Sequence, residues 1–217
     1  PKVEIDHEAA LNQIEDMVSA VLRDNKFPLV LGGEHSLTAG AIRPFAKKFD
    51  DLTVLQIDAH ADLRQSYEGN PYSHACAMRR VLDHKNISIV SLGVRSISSE
   101  EVPFLEENAN RISIFWAKDK QNWDYGKLQS LLKGKQIYLS FDVDGFDASL
   151  MPATGTPEPG GLFFDEAEKI ISIASKAGIM IGGDIVELAP RESLVACDFT
   201  IAKLAYKILN YSLIENL

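Results

Sequence analysis

Apolar positions along the 217-residue chain switch repeatedly between two periods. From residue 8 to 24, Ala9, Ile14, Met17, Val18, Val21 and Leu22 recur near helical spacing, which predicts a helix. The compact apolar run over 27–33 that follows, ending in glycine, predicts a strand. The alternation then continues with a helix over 36–49, a strand over 53–58, a segment over 72–84 that is helical in its second half, and a strand over 87–93. Further on it predicts helices over 100–108, 125–132, 163–178 and 199–211, and strands over 111–116, 136–142 and 179–186. The segment FFDEAEKIISIASKAG at 163–178 has the acidic start and terminal glycine that complement the two ends of a helix. The strands are almost continuously apolar instead of alternating with polar residues, the pattern of parallel strands covered on both faces. The predicted fold class is therefore α/β: a doubly wound, mostly parallel sheet with helices on both faces, in three αβα layers. No repeat, low-complexity tract or linker interrupts it, so residues 1–217 read as a single domain.

In such sheets ligands bind outside the carboxyl ends of the strands, and those ends carry the polar residues of interest. They are His35 in LGGEHSLT, Asp58, His60 and Asp62 in DAHAD, Asp142 and Asp144 in SFDVDGFD, and Glu187 in GGDIVEL. Alternate residues of an extended segment face one side, so Asp58 and His60, and likewise Asp142 and Asp144, can converge at one pole. Four carboxylates so close repel one another unless a cation compensates them. Four Asp and two His are too many ligands for one tetrahedral zinc ion but suit two ions about 3.5 Å apart with bridging carboxylates. Oxygen-rich ligation without cysteine favours manganese ahead of zinc. Any one of these residues alone is an ordinary turn former or helix cap, and it is their combination that points to metal. The proline- and glycine-rich loop MPATGTPEPGG at 151–161 follows the most acidic strand end and reads as a wall of the site.

Net charge narrows the partners. At −9 the chain is a poor match for nucleic acid or an anionic membrane surface and permits a cationic small molecule. Its two cysteines, Cys76 and Cys197, imply no disulfide framework; Cys76 reads as a small buried apolar residue. No apolar stretch approaches the ~18 residues of a membrane span and no signal pattern opens the sequence, so a cytoplasmic location is expected. His7 and His84 read as solvated, and Arg79–Arg80 as an exposed or interface pair.

Three blocks, GGEHSLT, DAHADLR and SFDVDGFDASLMPATGTPEPGGL, resemble the signatures of the ureohydrolases, the dimanganese arginase and agmatinase family. The resemblance runs from about residue 29 to 205. It implies an arginase-like αβα fold and two Mn2+ per chain, one held by His35, Asp58, Asp62 and Asp142 and the other by His60, Asp58, Asp142 and Asp144, with Asp58 and Asp142 bridging. NPYSHACAMRR resembles the agmatinase branch, with His74 as the proton shuttle, and DIVELAP resembles the segment whose glutamate, here Glu187, anchors the substrate guanidinium. A single carboxylate can orient that planar, permanently charged fork in a bidentate pair.

The reaction implied is hydrolysis of agmatine to putrescine and urea, with a metal-bridging hydroxide oriented by Asp62 as nucleophile. Arginase, guanidinobutyrase and formimidoylglutamase activities are alternatives on the same scaffold. A zinc deacetylase would leave His35 and Asp62 without a role, and the intact ligand set counts against an inactive regulatory relative. The resemblance also implies a homo-oligomer, trimer or hexamer. Two departures stand out. Family members carry a longer N-terminal region with two further strands, and FDASL replaces the commoner Asp-Pro beyond the ligands.

Overall fold

A computed structural model describes residues 6–214; the other residues of the predicted 1–217 domain lie outside the described set. Its helices are α1 (His7–Arg23), α2 (Thr38–Ala41), α3 (Arg43–Lys48), α4 (Ala77–Val81), α5 (Val102–Glu107), α6 (Tyr125–Leu132), α7 (Phe164–Ala177) and α8 (Val195–Ile214). Its strands are β1 (Leu29–Leu31), β2 (Leu52–Ile57), β3 (Ile87–Leu92), β4 (Ile112–Phe115), β5 (Gln136–Asp142) and β6 (Ile179–Val186). The strands form one sheet in the order β1-β6-β5-β2-β3-β4, every pair parallel.

The two-sided burial inferred from the apolar runs follows from the pleat, which sends successive side chains to opposite faces. Leu55, Ile57, Ile137, Leu139 and Phe141 enter one apolar layer with Leu128 of α6, Ile170 and Ile171 of α7, and Leu204 of α8. Their neighbours Leu52, Val54, Ile87, Ile89 and Tyr138 enter the other, against Val18 of α1, Phe45 of α3 and Met78 of α4. Each fully buried aliphatic side chain contributes roughly 1.5–3 kcal/mol, so the strands are fixed in register by both layers at once. Among the described residues no helix is long and apolar enough to cross a membrane.

The structure departs from the periodicity where backbone chemistry intervenes. The helix expected over 36–49 is divided into a 3-10 turn at His35–Leu37, α2 and α3. Pro44 sits in the first turn of α3 and has no N–H to continue the ladder from α2. The strand expected over 27–33 shortens to Leu29–Leu31. Pro28 donates nothing to the sheet, and Gly32 and Gly33, at φ +84° and +89°, swing the chain out of it. That swing delivers Glu34 and His35 to the pole where the other strand ends meet. The last helix starts at Val195, ahead of the expected 199, and a 3-10 helix at Ala117–Asn122 has no counterpart in the apolar pattern.

Candidate metal centre and active-site cleft

Four adjacent strands, β1, β6, β5 and β2, deliver the predicted site residues to one end of the sheet. His35 follows β1 in a 3-10 turn, Glu187 follows β6, Asp142 closes β5 with Asp144 in the next turn, and Asp58, His60 and Asp62 follow β2. Gly145 makes the approach of the last two groups possible, because a Cβ there would stand 2.9 Å from the Asp58 backbone nitrogen. Asp62 (φ 54°) and Glu187 (φ 65°) both hold the left-handed conformation that non-glycine residues avoid. Such strain costs on the order of 1–3 kcal/mol per residue and persists where surrounding structure dictates it.

The side chains form two groups that share Asp58. His35, Asp58 and Asp62 place ligand atoms within 4.8 Å of one another, and so do Asp58, His60 and Asp144. His35 Nδ1 lies 3.2 Å from Asp58 Oδ2, 2.9 Å from Asp62 Oδ2 and 3.2 Å from Asp142 Oδ2. His60 Nδ1 lies 3.1 Å from Asp144 Oδ2 and 3.5 Å from Asp58 Oδ1. The opposite carboxylate oxygens are fixed by the backbone: Asp58 Oδ1 accepts from the His60 N–H at 2.6 Å, Asp142 Oδ1 from the Asp144 N–H at 2.9 Å, and Asp144 Oδ1 from the Ala59 N–H at 3.1 Å. His35 and Asp58 are fully buried, and Asp142 and Asp144 nearly so.

This cluster is electrostatically unfinished without cations. Burial opposes charge on His60, yet hydrogen bonds to Asp144 and Asp58 drive its pKa up to about 11. Burial likewise opposes charge on His35, and its contacts with Asp142, Asp58 and Asp62 push its pKa well above the usual value. Burial and the charge of Asp58 push Asp62 up to about 7, and burial with the charges of Asp144 and Asp58 pushes Asp142 well above the carboxylate range. Protons thus gather where positive charge is missing. His35 Nδ1 is a buried nitrogen with no hydrogen-bond partner, although three carboxylate oxygens surround it. An orphaned imidazole nitrogen aimed into a ring of hard oxygen ligands fits a divalent cation.

Above this floor opens a cleft of about 310 Å³, and His74, Glu187, Arg64 and Tyr67 line it together with the candidate ligands. Glu187 Oε1 accepts from the His35 backbone N–H at 2.6 Å, which ties the carboxylate to the same turn that positions His35. Burial pushes its pKa up, against the His35 hydrogen bond. No ion pair joins it to Arg191 among the described residues. His74 is 44% exposed and donates from Nδ1 to Glu34 Oε1 at 2.8 Å. That bond is the main cause of the raised His74 pKa, and it holds Glu34 down at about 2. The loop at 151–161 walls the cleft through Gly155 and Thr156, and Thr156 donates to Asp144 Oδ2 at 3.0 Å.

Several participants carry no readable sequence signal. Gln56 donates to Asp58 Oδ2 at 2.9 Å from a strand position that reads as a polar interruption. Arg95 donates to the carbonyls of Asp144 at 2.8 Å and Glu158 at 2.7 Å, bracing the wall loop from outside the motifs. Glu34 was legible only as the neighbour of His35. Two surface expectations need correction. Of the Arg79–Arg80 pair, expected to be exposed or at an interface, Arg79 is part-buried and stacks over Phe104, 3.4 Å from the ring centre, and His84 is half-buried, with burial lowering its pKa. Cys76 and Cys197 are both free and buried.

The chain is 38% identical over 208 residues to an N(1)-aminopropylagmatine ureohydrolase of Synechocystis sp., covering 94% of this chain and 67% of the relative. It is 37% identical over 183 residues to the agmatinase of Bacillus anthracis, covering 83% of this chain and 62% of that protein. The chain thus spans about two thirds of the length of the curated relatives it matches. An agmatine ureohydrolase of Thermoplasma volcanium superposes with a TM-score of 0.86 at 35% identity, covering 98% of this chain and 71% of that structure. The model of the arginase family matches residues 2–210, and the chain belongs to that family.

Proposed function

We propose that the protein hydrolyses the guanidinium of agmatine to putrescine and urea with two Mn2+ per chain, held by His35, Asp58, Asp62 and Asp142 on one side and His60, Asp58, Asp142 and Asp144 on the other. The observation that carries the proposal is the meeting of two ligand groups sharing Asp58 with Glu187 and His74 in one cleft. When bound, the ion pair supplies Lewis acidity and lowers the pKa of water for attack on the guanidinium carbon. Glu187, held by the His35 N–H, receives the guanidinium and orients its plane. Asp62 accepts a hydrogen bond from the attacking water and orients its oxygen as the water gives up a proton. His74, its Nδ1 engaged by Glu34 and its ring partly in solvent, carries that proton to the leaving amine and exchanges with bulk water.

Selection between agmatine and arginine falls to the mouth, since the two differ only by a carboxylate far from the guanidinium. Arg64 stands there, engaged by the exposed Glu100 at 3.2 Å, and Glu187 in the cleft and Glu34 beside His74 add negative charge. Agmatine is therefore expected to exceed arginine in kcat/KM by at least ~100-fold, because a buried carboxylate left unpaired costs roughly 3 kcal/mol or more. The Synechocystis relative supports a second reading, in which the substrate is agmatine extended by an aminopropyl group. Urea release by manganese-loaded protein, compared across agmatine, N(1)-aminopropylagmatine, arginine and guanidinobutyrate, tests both. Preference for the extended amine moves the assignment to that substrate, and preference for arginine refutes the agmatinase reading. The same reading makes the protein a cytoplasmic homo-oligomer, trimer or hexamer, which light scattering checks.

A further inference from the structure

Behind the candidate metal centre lies a buried polar group that the proposed reaction does not use. Asp184, two residues before the carboxyl end of β6, has no solvent exposure and accepts three hydroxyl hydrogen bonds. Thr38 Oγ1 donates to its Oδ2 at 2.8 Å, Tyr138 OH to the same oxygen at 2.7 Å, and Ser140 Oγ to its Oδ1 at 2.8 Å. Burial pushes the Asp184 pKa up, but the His35 charge and the three hydroxyl hydrogen bonds favour the charged form, and a charged carboxylate can only accept, so each of the three hydroxyls spends its single proton on it. The consequence passes to His35, whose Nε2 lies 2.9 Å from Ser140 Oγ. Ser140 has no proton left to give, and Thr38, 3.5 Å away, has none either. Ser140 Oγ must then accept, and His35 Nε2 must carry the hydrogen. The Nδ1 lone pair is thereby turned toward Asp58, Asp62 and Asp142.

We propose that Asp184 is a positioning residue for the metal centre: acting through Ser140, it fixes the ring orientation and tautomer of His35 so that Nδ1 is presented as a ligand. The inference rests on the two-metal reading above. An outer partner that orients a ligating histidine typically accounts for 10–100-fold in metal affinity. Asp184→Asn keeps the shape but offers an NH2 donor to Ser140, which frees the serine proton to turn toward His35 and favours the tautomer that cannot ligate through Nδ1. Ser140→Ala removes the bridge itself. Tyr138→Phe deletes a donor to the other oxygen and leaves the bridge intact, so it reports what a purely structural loss in this buried group does.

The test is titration of the metal-free full chain with Mn2+, followed by the paramagnetic signal of free ion, alongside the thermal midpoint of the metal-free protein. The wild type should bind two ions. Asp184→Asn and Ser140→Ala should each weaken one of the two sites by ~10–100-fold while the other changes less than about threefold. Tyr138→Phe should lower the thermal midpoint with both affinities kept within about threefold. If Asp184→Asn does not fold, Ser140→Ala decides. Unchanged affinities in Ser140→Ala, or equal weakening of both sites in all three variants, would overturn the positioning role and leave the two-metal reading standing. A wild type that binds no Mn2+ would overturn both.

Discussion

The floor and the rim of the cleft are built by different means. The floor residues His35, Asp58, Asp142 and Asp144 are buried, stand at the ends of neighbouring strands, and have their second oxygens or nitrogens fixed by backbone N–H groups or by Ser140. The rim residues Glu34 and His74 are 47% and 44% exposed and come from turns joined to each other by one shared carboxylate oxygen. Low dielectric and close packing make the floor intolerant of any loss, whereas solvent at the rim screens charge and lets side chains adjust. On the proposed function, the floor is expected to set the chemistry, and the rim the rate, substrate and pH response.

The largest effect that would sharpen this contrast is expected at Asp142, where the carboxylate is inferred to bridge both ions. Asp142→Asn should remove on the order of 10³-fold or more of kcat/KM, because several kcal/mol of charge stabilisation depend on the pair. Its metal content should fall for both ions together. Activity within tenfold of wild type would break the distinction at its strongest point.

Glu187 joins floor to rim and should show a mixed phenotype. Glu187→Gln preserves shape and hydrogen bonding but removes the charge facing a permanent cation, so turnover should drop by ~10²-fold or more with metal content intact. Loss of thermal stability with normal turnover would instead make it a structural residue that closes β6. His74→Asn, wholly on the rim, should keep both ions and slow turnover by ~10²-fold, the usual scale for a positioned acid or base. Loss of metal from that variant would show His74 to belong to the floor.

The smallest effect belongs to the Glu34–His74 pair and appears in the pH dependence of stability. The Glu34 pKa, held at about 2 by the His74 hydrogen bond, lies below its usual 4.5, so its contribution is present above 4.5 and lost as pH falls toward 2. His74, raised above its usual 6.5 by the same bond, contributes below 6.5 and loses that contribution as pH rises through its raised value. The pair is thus fully effective between 4.5 and 6.5, and because both groups are half in water it contributes less than about 1 kcal/mol. Denaturant midpoints of Glu34→Gln and wild type should differ most in that window and converge outside it. A constant difference across pH would mean that the bond is packing, not charge.

The same contrast explains what the sequence disclosed. Strand order aside, the α/β architecture was legible because parallel strands buried on both faces cannot avoid long apolar runs, and Asp58, His60, Asp142 and Asp144 stood out as polar residues at their ends. Their meeting at one pole follows from parallelism, which aligns every carboxyl end. Pro44, Pro28 and the positive-φ Gly32–Gly33 pair broke elements that periodicity extended, since backbone chemistry overrides side-chain pattern there. Arg95 was illegible because its loop places it by contacts with distant segments, the carbonyls about fifty to sixty residues away, whereas Glu34 and Thr156 were legible only as members of the His35 block and the wall loop. Asp184 was hidden for a different reason: two residues before the end of β6 it points into the buried layer behind the site and not past the strand end where chemistry is sought.

The most direct test of the account is a metal count on the catalytically active protein. Elemental analysis with paramagnetic resonance should find two manganese ions per chain, spin-coupled through the carboxylates proposed to bridge them, Asp58 and Asp142. A single tightly bound zinc ion in the active form would contradict it.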